Sequence, residues 1–319
     1  MKSQDSSPPH SPRDGLSKRL RPAYLRLMRI LPPRTRRVVV YALRHRRLPH
    51  LTDPATFTEK LNWRILNDRR PEIVEVCDKL RMREIARERV PDEHELHIVP
   101  LLWSGNDLRE CPHLEGPSPW ALKPSNSTGK VILGPDGRSV AELVAATRGW
   151  ATSEPGYYLG EWGYTQVPLR FVLEQRLPGD QPPPEFKVFC FDGIPRFIQV
   201  HRDRFTRDYS IATYDPQWQP VAGHYVLGSP APHARPANLD RVLSLARRLS
   251  AGWDFIRVDL YDIDGELWFG EFTPYPSGGS PFASQAVDRA VGQLWRLPSS
   301  ATQRPSRSSP SSPSSPSNG

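Results

Sequence analysis

Two carboxylates stand in stretches that otherwise read as core: Asp259 and Glu271, in the run IRVDLYDIDGELWFGEFTPYP. Strand alternation puts Arg257 and Asp259 on one face, with Ile256, Val258 and Leu260 on the other; Glu271 and Thr273 share a face of the partner strand. Two carboxylates and a hydroxyl brought together make a hard, oxygen-rich set suited to Mg²⁺. Burying both acids without a cation costs several kcal/mol. The competing reading is a sheet with one wet face, on which Arg257 pairs with neighbouring acids. Register separates the two. A two-residue Asp264-Gly265 loop, the default for a hairpin, pairs Asp259 with Gly270 and turns Glu271 to the opposite face. A three-residue loop or a bulge puts both acids on one face, so a metal site requires one or the other.

A second constellation is LKPSNSTGKVI. A strand delivers Lys123, and a loop of Ser125, Asn126, Ser127, Thr128 and Gly129 follows. Small residues let backbone N–H groups approach a phosphate, and a lysine adds a point charge. No GxxxxGK[ST] pattern and no following helix are present, and an ordinary polar hairpin explains the stretch equally. Glu174 ends an apolar strand, where it could accept hydrogen bonds from a ribose or adenine or simply face solvent. Lys79 lies on a helix with Arg81 and Arg83 close by, a pattern that is usually only a solvated face. No convincing Ser-His-Asp or Cys-His set is found.

The elements that must position these residues are read from periodicity. The stretch ATFTEKLNWRILNDRRPEIVEVCDKLRMREIARERV predicts two helices separated by Pro71, and ELHIVPLLW a strand. WALKP and KVILG are short strands, SVAELVAATRGW is a helix and RFVLEQRL a strand. FKVFCFDGIPRFIQVHRD predicts a hairpin around Asp192-Gly193. NLDRVLSLARRLSAGW predicts an amphipathic helix with Leu239, Val242, Leu243, Ala246 and Leu249 on one face and Asn238 as its cap. Helices and antiparallel hairpins in this order predict an α+β fold, not a doubly wound parallel sheet.

The chain has 319 residues, a formal charge of +8 and a hydrophobic fraction of 37%. Dilution by the ends lowers that fraction. Residues 1–17 and 298–319 are crowded with Pro and Ser, carry too little apolar surface to offset ordering entropy and are expected to be disordered. Residues 18–47 hold eleven Lys or Arg and no acid, which leaves a net −3 on the rest. A nearly neutral body argues against a nucleic-acid binder. The basic arm, 18–51, reads either as amphipathic helices on an anionic membrane surface or acidic partner, or as the solvated face of helices packed on the body. No uncharged apolar stretch approaches a membrane span, and the first residues are too polar for a signal peptide. The expected location is the cytoplasm, with the inner membrane face as a peripheral option. Three widely spaced cysteines fit a reducing compartment and lack zinc spacing, and the nine histidines do not cluster.

In order, DKLR, LKPSNSTGKV, VLEQRL, EFKVFCFDG, IRVDLYDIDG and GEFTPYPSG resemble the ATP-grasp superfamily, and FTEKLNW together with the GEFTPYPSG ending resembles its TupA-like branch, which is associated with teichuronopeptide and other envelope-polymer biosynthesis. The similarity runs roughly over 57–292. It implies an ATP-grasp fold: two α+β subdomains gripping a nucleotide between antiparallel sheets, here with a reduced N-terminal domain. The expected divisions are an N-terminal helical segment over 52–118, a small subdomain with the Gly-rich loop over 119–170, and a C-terminal subdomain with the metal site over 171–297. The resemblance implies that Lys79 and Lys123 contact ATP phosphates and that Ser125, Asn126, Ser127, Thr128 and Gly129 form a mobile loop closing over them. It places Glu174, Gln175 and Leu177 by the adenine and ribose, and Glu185 or Lys187 near the nucleotide. It assigns Mg²⁺ to Asp259 and Glu271, with Thr273 where many relatives carry asparagine. Arg257 would stabilise charge on the transferring phosphoryl group or the acyl phosphate.

These roles amount to an ATP- and Mg²⁺-dependent carboxylate–amine ligase acting on a cell-envelope polysaccharide or its precursor. Phosphoryl transfer rests on positioning and charge neutralisation, which lysines, a backbone nest and a bridging cation supply. Two other readings stay open. A kinase or glycosyltransferase-like polymer-modifying enzyme would release ADP without free phosphate or need a nucleotide sugar. A non-catalytic ATP-binding protein would show no turnover.

Overall fold

The computed structural model describes residues 28–298 except 29, 115, 151–159, 180–181, 205, 222–232 and 280–283. The termini expected to be disordered and the start of the basic arm lie outside the described residues. Helices α1 (Pro33–His45), α2 (Phe57–Asn67), α3 (Pro71–Cys77) and α4 (Arg81–Arg89) precede strands β1 (His97–Ile98), β2 (Leu101–Gly105), β3 (Trp120–Pro124) and β4 (Ile132–Gly134). Then come α5 (Val140–Thr147), α6 (Trp162–Gln166), β5 (Phe171–Gln175), β6 (Glu185–Phe191), β7 (Ile194–Arg202), β8 (Ser210–Tyr214), α7 (Leu239–Leu249), β9 (Phe255–Ile263), β10 (Glu266–Thr273) and α8 (Gln285–Gln293).

Two sheets carry the fold: a six-stranded one ordered β1-β10-β9-β6-β7-β8 and a four-stranded one ordered β2-β5-β3-β4. Every pairing is antiparallel except β1 with β10. The α+β expectation holds. β5 completes the smaller sheet, so that sheet runs past the division expected at 170.

The larger sheet buries one face under α7 and the α3–α4 pair, where Val188, Val200, Ile256, Val258 and Leu260 meet Leu239, Val242, Ile73 and Ile85. On its other face, an aromatic patch of Phe189, Phe191, Phe197 and Phe255 packs on Phe57, Leu61 and Trp295. Charged residues occupy the rest of that face. In α7 the buried stripe contains Leu245 rather than Leu243, and the Asn238 side chain does not cap the helix. It donates instead to Asp262 Oδ2 and Gly265 O, tying the helix start to the β9–β10 turn.

Three local differences from the periodicity have physical causes. The stretch after Pro71 breaks a second time, at Asp78, whose Oδ1 accepts from Leu80 N (2.9 Å) and turns the chain into α4. ELHIVPLLW is two strands in different sheets, because Pro100 has no N–H to continue a ladder. α1 lies inside the basic arm and packs on the body. Arg36 and Arg37 are buried with Val40 and Tyr41, which is the packed-helix reading of the arm for residues 33–45. Among the described residues, no helix is long and apolar enough to cross a membrane.

FTEKLNW serves this scaffold side chain by side chain. Thr56 and Glu59 form a capping box, and Glu59 also pairs with Arg47 (2.8 Å). Thr58 donates to Asp288 Oδ1, and Lys60 Nζ to Trp295 O (2.6 Å). Arg64 binds Phe255 O (2.8 Å) and Asp254 (2.6 Å). Asn62 Oδ1 accepts from Arg37 Nε (2.8 Å), while its Nδ2 donates to Gly279 O (2.9 Å) and Arg37 Nη1 donates to Gly278 O (2.9 Å). α1 and α2 thereby hold the turn that follows β10, where Ser277, Gly278 and Gly279 all have positive φ. Replacing Asn62 by Ala leaves a buried guanidinium and a buried carbonyl short of partners. Urea denaturation should show a loss of about 2–3 kcal/mol, and an unchanged midpoint would contradict the clamp.

Candidate active site

The β9–β10 turn is the two-residue Asp264-Gly265 loop, with φ of 53° and 86°, the left-handed pair of a type I′ turn. Pairing starts as that loop dictates, with Ile263 opposite Glu266 and Leu260 opposite Phe269. The register then shifts by one residue at Gly270, and Glu271 comes opposite Asp259 and Thr273 opposite Arg257. The bulge, not a longer turn, brings the acids to one face. Gly270 has no room for much else: a Cβ there would stand 3.0 Å from Asp259 O.

Next to Asp259 on the other side is Lys187 of β6, and Glu185 shares its face. The result is one network. Arg257 donates from Nε to Asp259 Oδ1 and from Nη2 to Oδ2, both at 2.6 Å. The same Nη2 reaches Glu271 Oε1 (3.2 Å) and Thr273 Oγ1 (3.0 Å), and Thr273 Oγ1 donates to Glu271 (2.9 Å). Lys187 Nζ bridges Asp259 Oδ2 and Glu185 Oε1, and Arg204 completes the chain to Glu185 at 3.1 Å. Burial pushes the Asp259 carboxyl up, but Arg257 and Lys187 outweigh it and hold it well below the usual carboxylate range. Asp259 is wholly buried, whereas the Glu271 side chain is 31% exposed and faces the opening.

Lys123 stands on β3 of the smaller sheet, whereas Lys79, expected on a helix, lies in the turn between α3 and α4 that the Asp78 break creates. Lys123 Nζ donates to Glu174 Oε2 (2.6 Å), and Arg83 Nη1 to Glu174 Oε1 (2.8 Å). Burial raises the Glu174 carboxyl, but Lys123 and Arg83 pull it below its ordinary value. Lys79 N donates to Ser125 O (3.0 Å), and its ammonium binds Ser127 O. The Lys79 ammonium lies within electrostatic reach of Glu271 of the larger sheet and of Lys123 and Glu174 of the smaller one.

The loop expected to be mobile is anchored over its first residues. Ser125 Oγ donates to Pro168 O (2.9 Å), Asn126 Nδ2 donates to Val167 O (3.1 Å), and Ser125, Asn126 and Ser127 are all buried. Thr128 is half-buried, and Gly129 is exposed with a φ of 71°. Gln175 is exposed at the end of β5, with its N–H bonded to Pro100 O, and Leu177 is half-buried beyond the strand. Arg81 sits among Glu75, Glu84 and Glu88 on the surface, away from this network. Arg83 and Arg204 joined the site without a distinctive spacing of their own. Glu185 was expected near the nucleotide on the resemblance alone, and Arg204 stands just beyond β7 with no motif to mark it.

Among the described residues, no cluster of three or more His, Cys, Asp or Glu forms a metal cage. Asp259, Glu271 and Thr273 do fit a cation shared with phosphate. Two carboxylates and a hydroxyl converge on one guanidinium nitrogen, and Mg²⁺ is typically held by one or two carboxylates plus phosphate oxygens.

A family model described as TupA-like ATPgrasp matches residues 59–296. No curated protein matches the chain. Among solved structures, the D-alanine–D-alanine ligase from Bacillus anthracis complexed with ATP aligns at 17% identity and a TM-score of 0.39, over 69% of this chain and 60% of that one. The Helicobacter pylori D-alanine–D-alanine ligase aligns at 14% identity and 0.40, over 79% and 68%. The L-amino acid ligase from Bacillus licheniformis aligns at 15% and 0.39, over 64% and 44%. The chain thus spans about three fifths of the length of the first of these. On the family match, which covers most of the sequence, the chain belongs to the TupA-like ATP-grasp family.

Proposed function

We propose that the protein is an ATP- and Mg²⁺-dependent carboxylate–amine ligase working through an acyl phosphate. The observation that carries this reading is the pair Asp259 and Glu271, on one face through the Gly270 bulge, with Glu271 within electrostatic reach of Lys79 in the turn between α3 and α4. Family membership supports it. A cell-envelope polymer or its precursor as substrate rests on the TupA-like resemblance.

In this reading Lys79 and Lys123 neutralise phosphate oxygens, and the anchored start of the Ser125 loop presents backbone toward them. Glu174, held by Lys123 and Arg83, borders the ribose. Asp259, Glu271 and Thr273 hold Mg²⁺, which supplies charge neutralisation when bound. Arg257 keeps both carboxylates in place and offers its guanidinium to charge developing on the transferred phosphoryl group. Attack of the substrate carboxylate on the γ-phosphorus gives the acyl phosphate and ADP. Attack of an amine on the acyl carbon then gives the amide and free phosphate.

Phosphate release from ATP should require both an acid and an amine, screened with uronic acids and amino acids, and should stop on addition of EDTA. Asp259→Asn and Glu271→Gln should each lower turnover by about 10²-fold or more, on the scale of losing one preorganised electrostatic contact. Full turnover in both variants would remove the metal assignment.

A second expectation follows from Lys79. Burial pushes its ammonium down to about 8, with Lys123 adding to the effect and Glu271 and Glu174 opposing it. The charged form is present below that value and lost above it. ATP affinity measured by calorimetry should therefore weaken by about tenfold as pH rises from about 7 to about 9. Lys79→Gln should bind weakly and flatten the profile; a wild-type profile without a step would contradict the contact.

A further inference from the structure

One buried acid takes no part in either network. Glu161 precedes α6 and is only 4% exposed, yet among the described residues no hydrogen bond or ion pair reaches its carboxylate, and it does not cap α6. The groups facing it come from every element packed there: Arg37 of α1, Cys77 at the end of α3, Tyr164 of α6 itself and Tyr275 beyond β10. Arg69 closes the same side by lying over the Trp162 ring. Among the described residues Arg37 is the one cation whose charge reaches Glu161, and it forms no salt bridge with it; Arg37 donates to Asn62 and to the carbonyl of Gly278. Burial therefore pushes the Glu161 carboxyl up to about 7, against the partial relief from Arg37.

Its place relative to the site is fixed by shared neighbours. Gly163 N donates to Tyr275 Oη (3.3 Å), and the Tyr164 and Tyr275 rings touch with centroids 6.1 Å apart. Tyr275 lies two residues past Thr273, roughly 7 Å of extended chain. Gly163 is pressed on Cys77, where a Cβ would meet Sγ at 2.7 Å, and Cys77 lies two residues before Lys79. Cys77 lies within electrostatic reach of both Glu161 and Glu271, and Tyr164 within reach of Glu161, Glu271 and Arg257. A buried carboxylate with no hydrogen bond or ion pair among the described residues costs several kcal/mol, and its electrostatic neighbours Cys77 and Tyr275 stand two residues from Lys79 and from Thr273. The ligand chemistry that relieves it is an ammonium group.

We propose that Glu161 is the receptor of the amine substrate: its carboxylate binds the ammonium form and takes one proton from it. The proposal rests on the ligase reading. The neutral amine's lone pair forms the C–N bond at the acyl carbon, the C–O bond to phosphate breaks with its electron pair leaving on phosphate, and the second nitrogen proton goes to that phosphate. Glu161 then returns its proton to solvent.

The test uses the full chain, ATP, Mg²⁺ and a panel of uronic acids and amino acids as carboxylates, with two kinds of nucleophile. Hydroxylamine is largely neutral at pH 7 and traps acyl phosphate without a base; amino acids arrive as ammonium ions. Glu161→Gln should keep hydroxamate formation within about twofold and lose amide formation by about 10²-fold, and Glu161→Asp should recover part of it. Melting gives a readout free of activity. A carboxyl whose folded value is raised favours the protonated native state, so its contribution to stability falls as pH rises from about 4.5 to about 7. Glu161→Gln should therefore melt higher than wild type at neutral pH and lose that part of the pH dependence. Unchanged amide formation in the variant overturns the proposal. So does loss of both products, or a lower melting temperature, because either assigns Glu161 to phosphoryl transfer or to the fold. A wild-type chain that yields no hydroxamate with any acid refutes the ligase reading itself, and the proposal with it.

Discussion

One extra residue at Gly270 sets the chemistry of this molecule. Without it the Asp264-Gly265 turn would send Glu271 into the apolar layer beneath α7, and Phe272 would face the charged side in its place. With it, three acids and three bases interleave on one sheet face: Glu185, Asp259 and Glu271 with Lys187, Arg204 and Arg257. Each buried charge has an opposite neighbour, which is the condition under which such a cluster persists away from water. The arrangement is graded. Asp259 is wholly buried and bonded by both Arg257 and Lys187, while the Glu271 side chain keeps 31% of its surface exposed.

The acids on the hairpin, the lysine before the small-residue loop and the strand-ending Glu174 were all legible in the sequence, because strand alternation and turn chemistry are local rules. The bulge was legible only as a condition: nothing in GELWFGEFT distinguishes Gly270 as a bulge from Gly270 as a weak strand residue. The pairing of Glu174 with Arg83 joins residues 91 positions apart and leaves no local trace. Nor does Glu161, a lone acid in a short, aromatic-rich stretch. The split of ELHIVPLLW was foreshadowed by its proline, and the helix in the basic arm by the apolar spacing of Val40 and Tyr41 beneath its arginines.

FTEKLNW, the most specific part of the family resemblance, contributes no group to the charged cluster. Its residues cap α2, receive Arg37 and Arg47, and fasten the turn after β10. Arginines counted in the sequence as surface charge are in part internal fasteners, which is why net charge was a poor guide to what the arm touches.

The break at Pro100 has a mechanical consequence. His97 and Ile98 are stitched to β10, which carries Glu271, while Leu101 is stitched beside Glu174 on β5. Only Val99 and Pro100 separate the two, and trans-peptide spacing caps the stretch from Ile98 to Leu101 at roughly 11 Å. The segment is a short tether between the strand that carries Glu271 and the strand that carries Glu174, and Arg83, by gripping both Glu174 and the Val99 carbonyl, ties its midpoint. Any breathing of the cleft must pivot about this tether, so the jaws can swing but cannot drift apart.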